Sequence, residues 1–197
     1  MHEHQIRLAT IDDVPRLAST LTDAFEHYAF TRHTIAADNH RSRLQRFNEL
    51  FLGEIGIPHG KVWMANGGEA AAIWTTPEST GIFEAFTRLE PEFAWLAGDR
   101  AHCHASAEAT MQRYRPSEPV WFLGSVGVHP AHQGKGLGRA VIQPGLDAAK
   151  KAGVPAFLET SDPGNVRFYE RLGFDITAEY DLPDGGPRTW SMIRLPD

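Results

Sequence analysis

The sequence has one cysteine, no excess of basic residues and no long apolar run, and each shortage removes a class of protein. Cys103 is the only cysteine among 197 residues, so no disulfide forms within the chain, a cysteine-rich zinc module is excluded, and a reducing, cytoplasmic setting suits it. Lys and Arg total 19 against 25 Asp and Glu, a formal net charge of -6. An acidic chain repels phosphate backbones, so nucleic acid is not expected as a partner, whereas a cationic small molecule is tolerated. No segment approaches the ~20 apolar residues of a transmembrane helix. The first residues also lack a basic-then-apolar leader, so a membrane is not expected as a partner either. There are 10 histidines, but His102 and His104 stand two apart and would point to different faces of a helix. His129 and His132 flank a turn that favours hydrogen bonding over ligation, so no metal is expected. Nothing in the sequence fixes an oligomeric state.

Hydrophobic residues make up 42% and charged residues 22%, an ordinary globular balance. Residues 1–197 are expected to form one domain carrying a helical elaboration over about 79–118. A short strand at 5–8 leads to a helix with apolar positions Ile11, Val14, Leu17, Leu21, Ala24, Phe25 and Tyr28. Thr10 and Asp13 mark its start as a capping box. A second helix is predicted over 39–52, broken by Gly53, Gly56, Pro58 and Gly60. Strands at 61–65 and 70–75 flank Asn66-Gly67-Gly68 as a hairpin. Residues 81–115 read as helical, with Phe83, Phe86, Leu89, Phe93 and Leu96 as an apolar stripe divided by Pro91 and Gly98. Then follow a buried strand over 120–128, a helix over 136–152 kinked at Pro144-Gly145, a strand over 155–160 and a helix over 165–172 capped by Asn165. An antiparallel pair, 176–182 with 188–195, completes the chain.

Between the strand and the long helix lies Gln133-Gly134-Lys135-Gly136-Leu137-Gly138-Arg139. Alternating glycines let backbone approach a ligand closely, and the free N–H groups of the following helical turn make a site of partial positive charge. Lys135 and Arg139 reverse the sign of an otherwise acidic protein at this place. A Walker A loop would need Ser or Thr after Lys135, where Gly136 stands. A Rossmann turn would need its third glycine at the position of Arg139. The Gln-x-x-Gly-x-Gly turn of acyl-CoA binders matches at Gln133, Gly136 and Gly138.

Together with Val126-Gly127-Val128-His129-Pro130, and with Asn165 followed by Phe168-Tyr169-Glu170-Arg171-Leu172-Gly173-Phe174, this turn resembles the GNAT superfamily of acyl-CoA-dependent N-acyltransferases. Arg7-Leu8-Ala9-Thr10, Thr31-Arg32-His33-Thr34, Gly60-Lys61-Val62-Trp63, 74–79, 153–161 and 187–190 extend the resemblance along nearly the whole chain, toward members that acetylate aminonucleosides of the puromycin type. It implies an α/β fold: a central mixed, mostly antiparallel twisted sheet with one splayed parallel strand pair, flanked by helices. It implies acetyl-CoA as cosubstrate, wedged between 121–128 and 155–160, with its pantetheine on Val126, Gly127 and Val128. The pyrophosphate would lie on the amides of 133–139 and the Val128 N–H would meet the thioester carbonyl. A contact of Asn165 with the cosubstrate also belongs to the family pattern. The acceptor implied is the primary amine of a small molecule.

The reaction needs a neutral amine, a polarised carbonyl and a proton for the departing thiolate. Tyr169 is the candidate acid, with Phe168 and Leu172 packing inward from the same helix. Glu159, at a strand end beside the acyl site, is the candidate base or amine-orienting carboxylate; pairing with an arginine is the competing reading. A strong base is dispensable, because an α-amine with a pKa of about 8 is partly neutral near pH 7. Tyr28, His33 and Trp74 are the candidate substrate contacts, the aromatic rings by stacking.

Overall fold

Seven strands form one sheet in a computed structural model that describes residues 4–196. They are β1 (Ile6–Leu8), β2 (Lys61–Ala65), β3 (Ala70–Thr75), β4 (Trp121–Val128), β5 (Ala156–Thr160), β6 (Asp175–Asp181) and β7 (Arg188–Arg194), in the order β1-β2-β3-β4-β5-β7-β6. Every neighbouring pair is antiparallel except β4 with β5. The chain thus forms the mixed sheet with a single parallel pair that the resemblance implied.

Helices cover both faces. On one side lie α1 (Val14–Phe25) and, after α2 (Ala29–Thr34), α3 (His40–Leu50). Leu17, Ala18 and Leu21 of α1 pack on Val62, Met64, Ala71 and Ile73. The other side carries α7 (Leu137–Ala152), whose Val141, Ile142, Leu146 and Ala149 meet Ala72, Trp74, Trp121, Leu123, Ala156 and Leu158. Strand β3 is therefore buried on both faces, which explains the unbroken run Ala70-Ala71-Ala72-Ile73-Trp74. Each fully buried Leu or Ile in these layers contributes roughly 1.5–3 kcal/mol.

The predicted break at Gly53 does not occur. Helix α3 passes through a π-helical stretch, Phe51–Gly56, into a short α4 (Ile57–His59). Gly56 serves close packing: a side chain there would begin 2.9 Å from Ile73 Cγ2 and 3.1 Å from Val62 Cγ2. The elaboration is a helical pair, α5 (Ile82–Ala97) and α6 (Ala101–Met111). Pro91 remains inside α5, and Gly98, at φ +55°, ends it. Of the predicted stripe, Leu89, Phe93 and Leu96 are buried, whereas Phe83 and Phe86 are exposed. Helix α7 continues through Pro144-Gly145, where glycine leaves room for the Trp74 indole. The last helix, α8 (Pro163–Glu170), starts earlier than expected, because the Asp162 carboxylate caps it by accepting from the Gly164 N–H at 2.6 Å. Asn165 is not its cap.

Candidate active site

The parallel strands stay together for three register pairs only, Trp121↔Ala156, Phe122↔Phe157 and Leu123↔Leu158. The divergence has a local cause. Opposite β4, Ile73 faces Ser125 but Trp74 faces Leu123, so Gly124 is an extra residue, a β-bulge that bends the strand. Beyond it β4 keeps its pairing with β3 as far as Ala70↔Val128, and the His129 N–H continues the ladder to the Glu69 carbonyl at 2.9 Å. Backbone groups alternate in direction along a strand, so Val126 and Val128 turn theirs toward β5, where no strand among the described residues pairs with them. The Val128 carbonyl accepts from Gln133 Nε2 at 3.2 Å. Gly127 lies flat against α1: a side chain there would meet Leu21 Cδ2 at 2.7 Å.

Past Pro130 the chain makes one 3-10 turn, then Gly134 and Gly136 take the left-handed conformation at φ +75° and +84°. Glycine is the residue that adopts this backbone without strain. Helix α7 begins at Leu137, leaving the N–H groups of its first turn without intrahelical acceptors. The Leu137 side chain is buried in the core, so only its amide faces the turn. Gly134 borders open space, and Gly138 lies where Phe168 and Val128 approach to 3.5 and 3.6 Å of a would-be side chain. Lys135 and Arg139 are exposed. His129 and His132 pair with Asp23 and Glu69, each at 3.2 Å, and among the described residues no cluster of three His, Cys, Asp or Glu is placed to hold a metal ion.

At the diverging end of β5 the Tyr28 hydroxyl accepts from the Ser161 N–H at 2.6 Å and stands 3.3 Å from Thr160 Oγ1, to which Asn165 Nδ2 donates at 3.4 Å. Tyr28 thus occupies a backbone donor that β4 has abandoned. Tyr169 is 6% exposed and packs edge-on against Phe168 and Phe174. Burial, reinforced by the neighbouring Tyr28 hydroxyl, pushes its pKa well above the usual tyrosine value. The phenol therefore holds its proton at neutral pH, the state a proton donor requires.

Three predicted site residues stand elsewhere or otherwise engaged. Glu159 is not a free base. Its side chain is 4% exposed, and the Arg115 guanidinium grips it through Nη2 at 2.8 Å and Nε at 3.1 and 3.2 Å. Burial raises the Glu159 pKa and Arg115 opposes that rise. Arg115 also bonds Glu108, reaches Gln112 Oε1 at 3.2 Å and lies 5.3 Å over the Phe122 ring. Trp74 is completely buried beneath α7 and offers no surface for stacking. His33 is buried against Gly186 in the β6–β7 connection, where burial lowers its pKa and its Nε2 has no hydrogen-bond partner. Sequence reading passed over Arg115, Thr160, Ser161 and Gly124. Only Gly124, a glycine inside an apolar strand, carried a local signal of its role.

The model of the acetyltransferase (GNAT) family matches residues 64–174. An uncharacterized N-acetyltransferase of Schizosaccharomyces pombe is 41% identical over 183 residues, covering 82% of this chain and 70% of that protein. The L-methionine sulfoximine/L-methionine sulfone acetyltransferase of Salmonella typhimurium is 43% identical over 74 residues, 36% of this chain. That stretch spans 42% of the Salmonella enzyme's length. Among solved structures, a Corynebacterium glutamicum protein of the group "histone acetyltransferase HPA2 and related acetyltransferase" superposes with TM-score 0.77 at 24% identity, covering 98% of this chain and 97% of the other. A putative Salmonella typhimurium acetyltransferase with its cofactor acetyl-CoA gives TM-score 0.54 at 21% identity, over 99% and 95%. Among the described residues no helix is long and apolar enough to cross a membrane.

Proposed function

The chain belongs to the acetyltransferase (GNAT) family, and on that premise we propose that it moves an acetyl group from acetyl-CoA to the primary amine of a small molecule. The observation that carries the reading is the β4–β5 fork opening beside a left-handed glycine turn at a helix N-terminus. The fork leaves the amides of Val126 and Val128 and the Val126 carbonyl in need of partners, Gln133 already serving the Val128 carbonyl, and the amide-bearing pantetheine arm has groups of that kind. Amides 134–139, with Lys135 and Arg139, form a cradle suited to a diphosphate. Acetyl-CoA supplies the activated acyl group. The Val128 N–H stabilises negative charge developing on the thioester oxygen, and Tyr169 delivers a proton to the departing sulfur. Because Arg115 holds Glu159, the amine enters largely by its own neutral fraction: an α-amine with a pKa near 8 is about one-tenth neutral at pH 7.

The acceptor in this reading is an α-amino group, and specifically that of an aminonucleoside of the puromycin type. The motif segments along the chain support this, and methionine sulfoximine, the substrate named for a relative, also presents an α-amine. The test is thiol release from acetyl-CoA with puromycin, methionine sulfoximine, a plain L-amino acid and spermidine, with products identified by mass. Release with puromycin is expected. Release with spermidine alone would overturn the α-amine assignment, and release with no amine would overturn acetyl transfer altogether.

A further inference from the structure

Helices α5 and α6 enclose an open groove of about 320 Å³ whose lining includes Phe86, Glu90, Phe93, Ala101, His104 and Ala105. Both of its walls lead to the fork. On the α5 side, Phe86 lies 6.3 Å, ring to ring, from Phe51. The Phe51 ring in turn stands 3.5 Å from the point where a side chain on Gly124, the bulge residue, would begin. Along α6, residues 101, 104, 105 and 108 recur at helical spacing and share one face, with Gln112 just past its end, while Ala107 and Met111 on another face are buried against Tyr180 and Leu182. Glu108 and Gln112 both hold Arg115, which grips Glu159. Glu159 is one residue beyond Leu158, the last position paired with β4. The groove therefore has an aromatic and alanine lining with one carboxylate, Glu90, on its α5 wall, and the next turn of α6 past Ala105 carries Glu108, which shares the Arg115 guanidinium with Glu159, two carboxylates to one cation.

Resting on the acetyltransferase reading, we propose that this groove seats the aromatic side chain of the acceptor, while the Glu108–Arg115–Glu159 cluster attracts its cationic amine end. The floor of Phe86 and Phe93 with small alanines opposite admits a flat ring, and the residual negative charge complements an ammonium group. Substrates of this class are amino-acid amides and aminoacyl conjugates bearing an aromatic side chain.

The test compares L-phenylalaninamide with glycinamide, which share the α-amine and differ in the ring. The wild-type protein is expected to show kcat/KM about tenfold or more higher for phenylalaninamide, the worth of seating a phenyl group. Ala105→Trp, at an exposed position, fills the groove and should lower that ratio at least tenfold, and Phe86→Ala should lower it about threefold. Calorimetric acetyl-CoA affinity and the melting temperature establish that each variant is folded. A wild-type ratio near one, or a ratio unmoved in both folded variants, overturns the groove assignment and leaves acetyl transfer standing. Acetylation of neither amine, nor of puromycin, overturns both.

Discussion

Between Val126 and Arg139 nearly every candidate contact is a main-chain group, whereas along 79–115 every one is a side chain. The first region is shaped by where the backbone goes: a bulge at Gly124, a fork past Leu123, two left-handed glycines and a helix start, and in the proposed function that backbone binds acetyl-CoA. The second depends on which side chains meet across the fold, as Arg115 meets Glu159 from 44 residues away. Backbone recognition demands glycines at fixed offsets and survives changes at the positions between them. Side-chain recognition makes no such demand, so the acceptor side is free to diversify while the donor side keeps its pattern.

The sharpest way to break that contrast is Gly136→Asp, which puts a side chain at φ +84° and a carboxylate into the cradle. Acetyl-CoA affinity should fall about 300-fold, roughly 3.4 kcal/mol, through strain and repulsion together. Undiminished affinity by calorimetry would show that the turn does not hold the diphosphate. Arg115→Met tests the other region and should cost about 3 kcal/mol of stability in urea unfolding, because it strands a buried carboxylate. The loss should depend on pH with a definite sign. A carboxyl whose folded pKa is raised binds its proton more tightly folded than unfolded, so the variant regains stability as pH falls through the interval between the two values. Adding Glu159→Gln should flatten that profile, and a profile still sloping would mean another group carries it.

Tyr169→Phe is expected to lower kcat about 100-fold with the acetyl-CoA KM within about twofold, as for a proton donor acting in the transition state. A matching rise in KM would reassign Tyr169 to binding. The smallest effect gives the finest comparison. Gly134 (φ +75°) and Gly153 (φ +65°) both border open space, so an alanine at either should cost about 1 kcal/mol of stability by backbone strain alone. Only Gly134→Ala should also weaken acetyl-CoA binding. Equal affinities in the two variants would remove Gly134 from the cradle.

The same contrast explains what could be read in the amino-acid string. The fork strands, the glycine turn and α7 were legible because their geometry leaves local marks. Gly56 was misread as a break because glycine marks close packing as readily as a turn, and only the neighbouring sheet decides which. Asn165 yielded to Asp162 as cap, both being residues that cap well. Trp74 looked available for stacking until α7 covered it. For Glu159 the sequence offered both a base and an arginine-paired carboxylate, and could not name the arginine because no local pattern announces a partner as distant as Arg115. Phe86, read as part of an apolar stripe, lies on an exposed groove wall for the same reason: periodicity gives the face of a helix and not what lies opposite it.

Three register pairs join the β1–β4 meander to the β5-β7-β6 ribbon. So short a seam has consequences for hydrogen exchange. The amides of Val126 and Val128, although central in a seven-stranded sheet, should trade deuterium far faster than that of Gly127, which faces the β3 ladder. Saturating coenzyme should then slow the two valines and leave the glycine as it was.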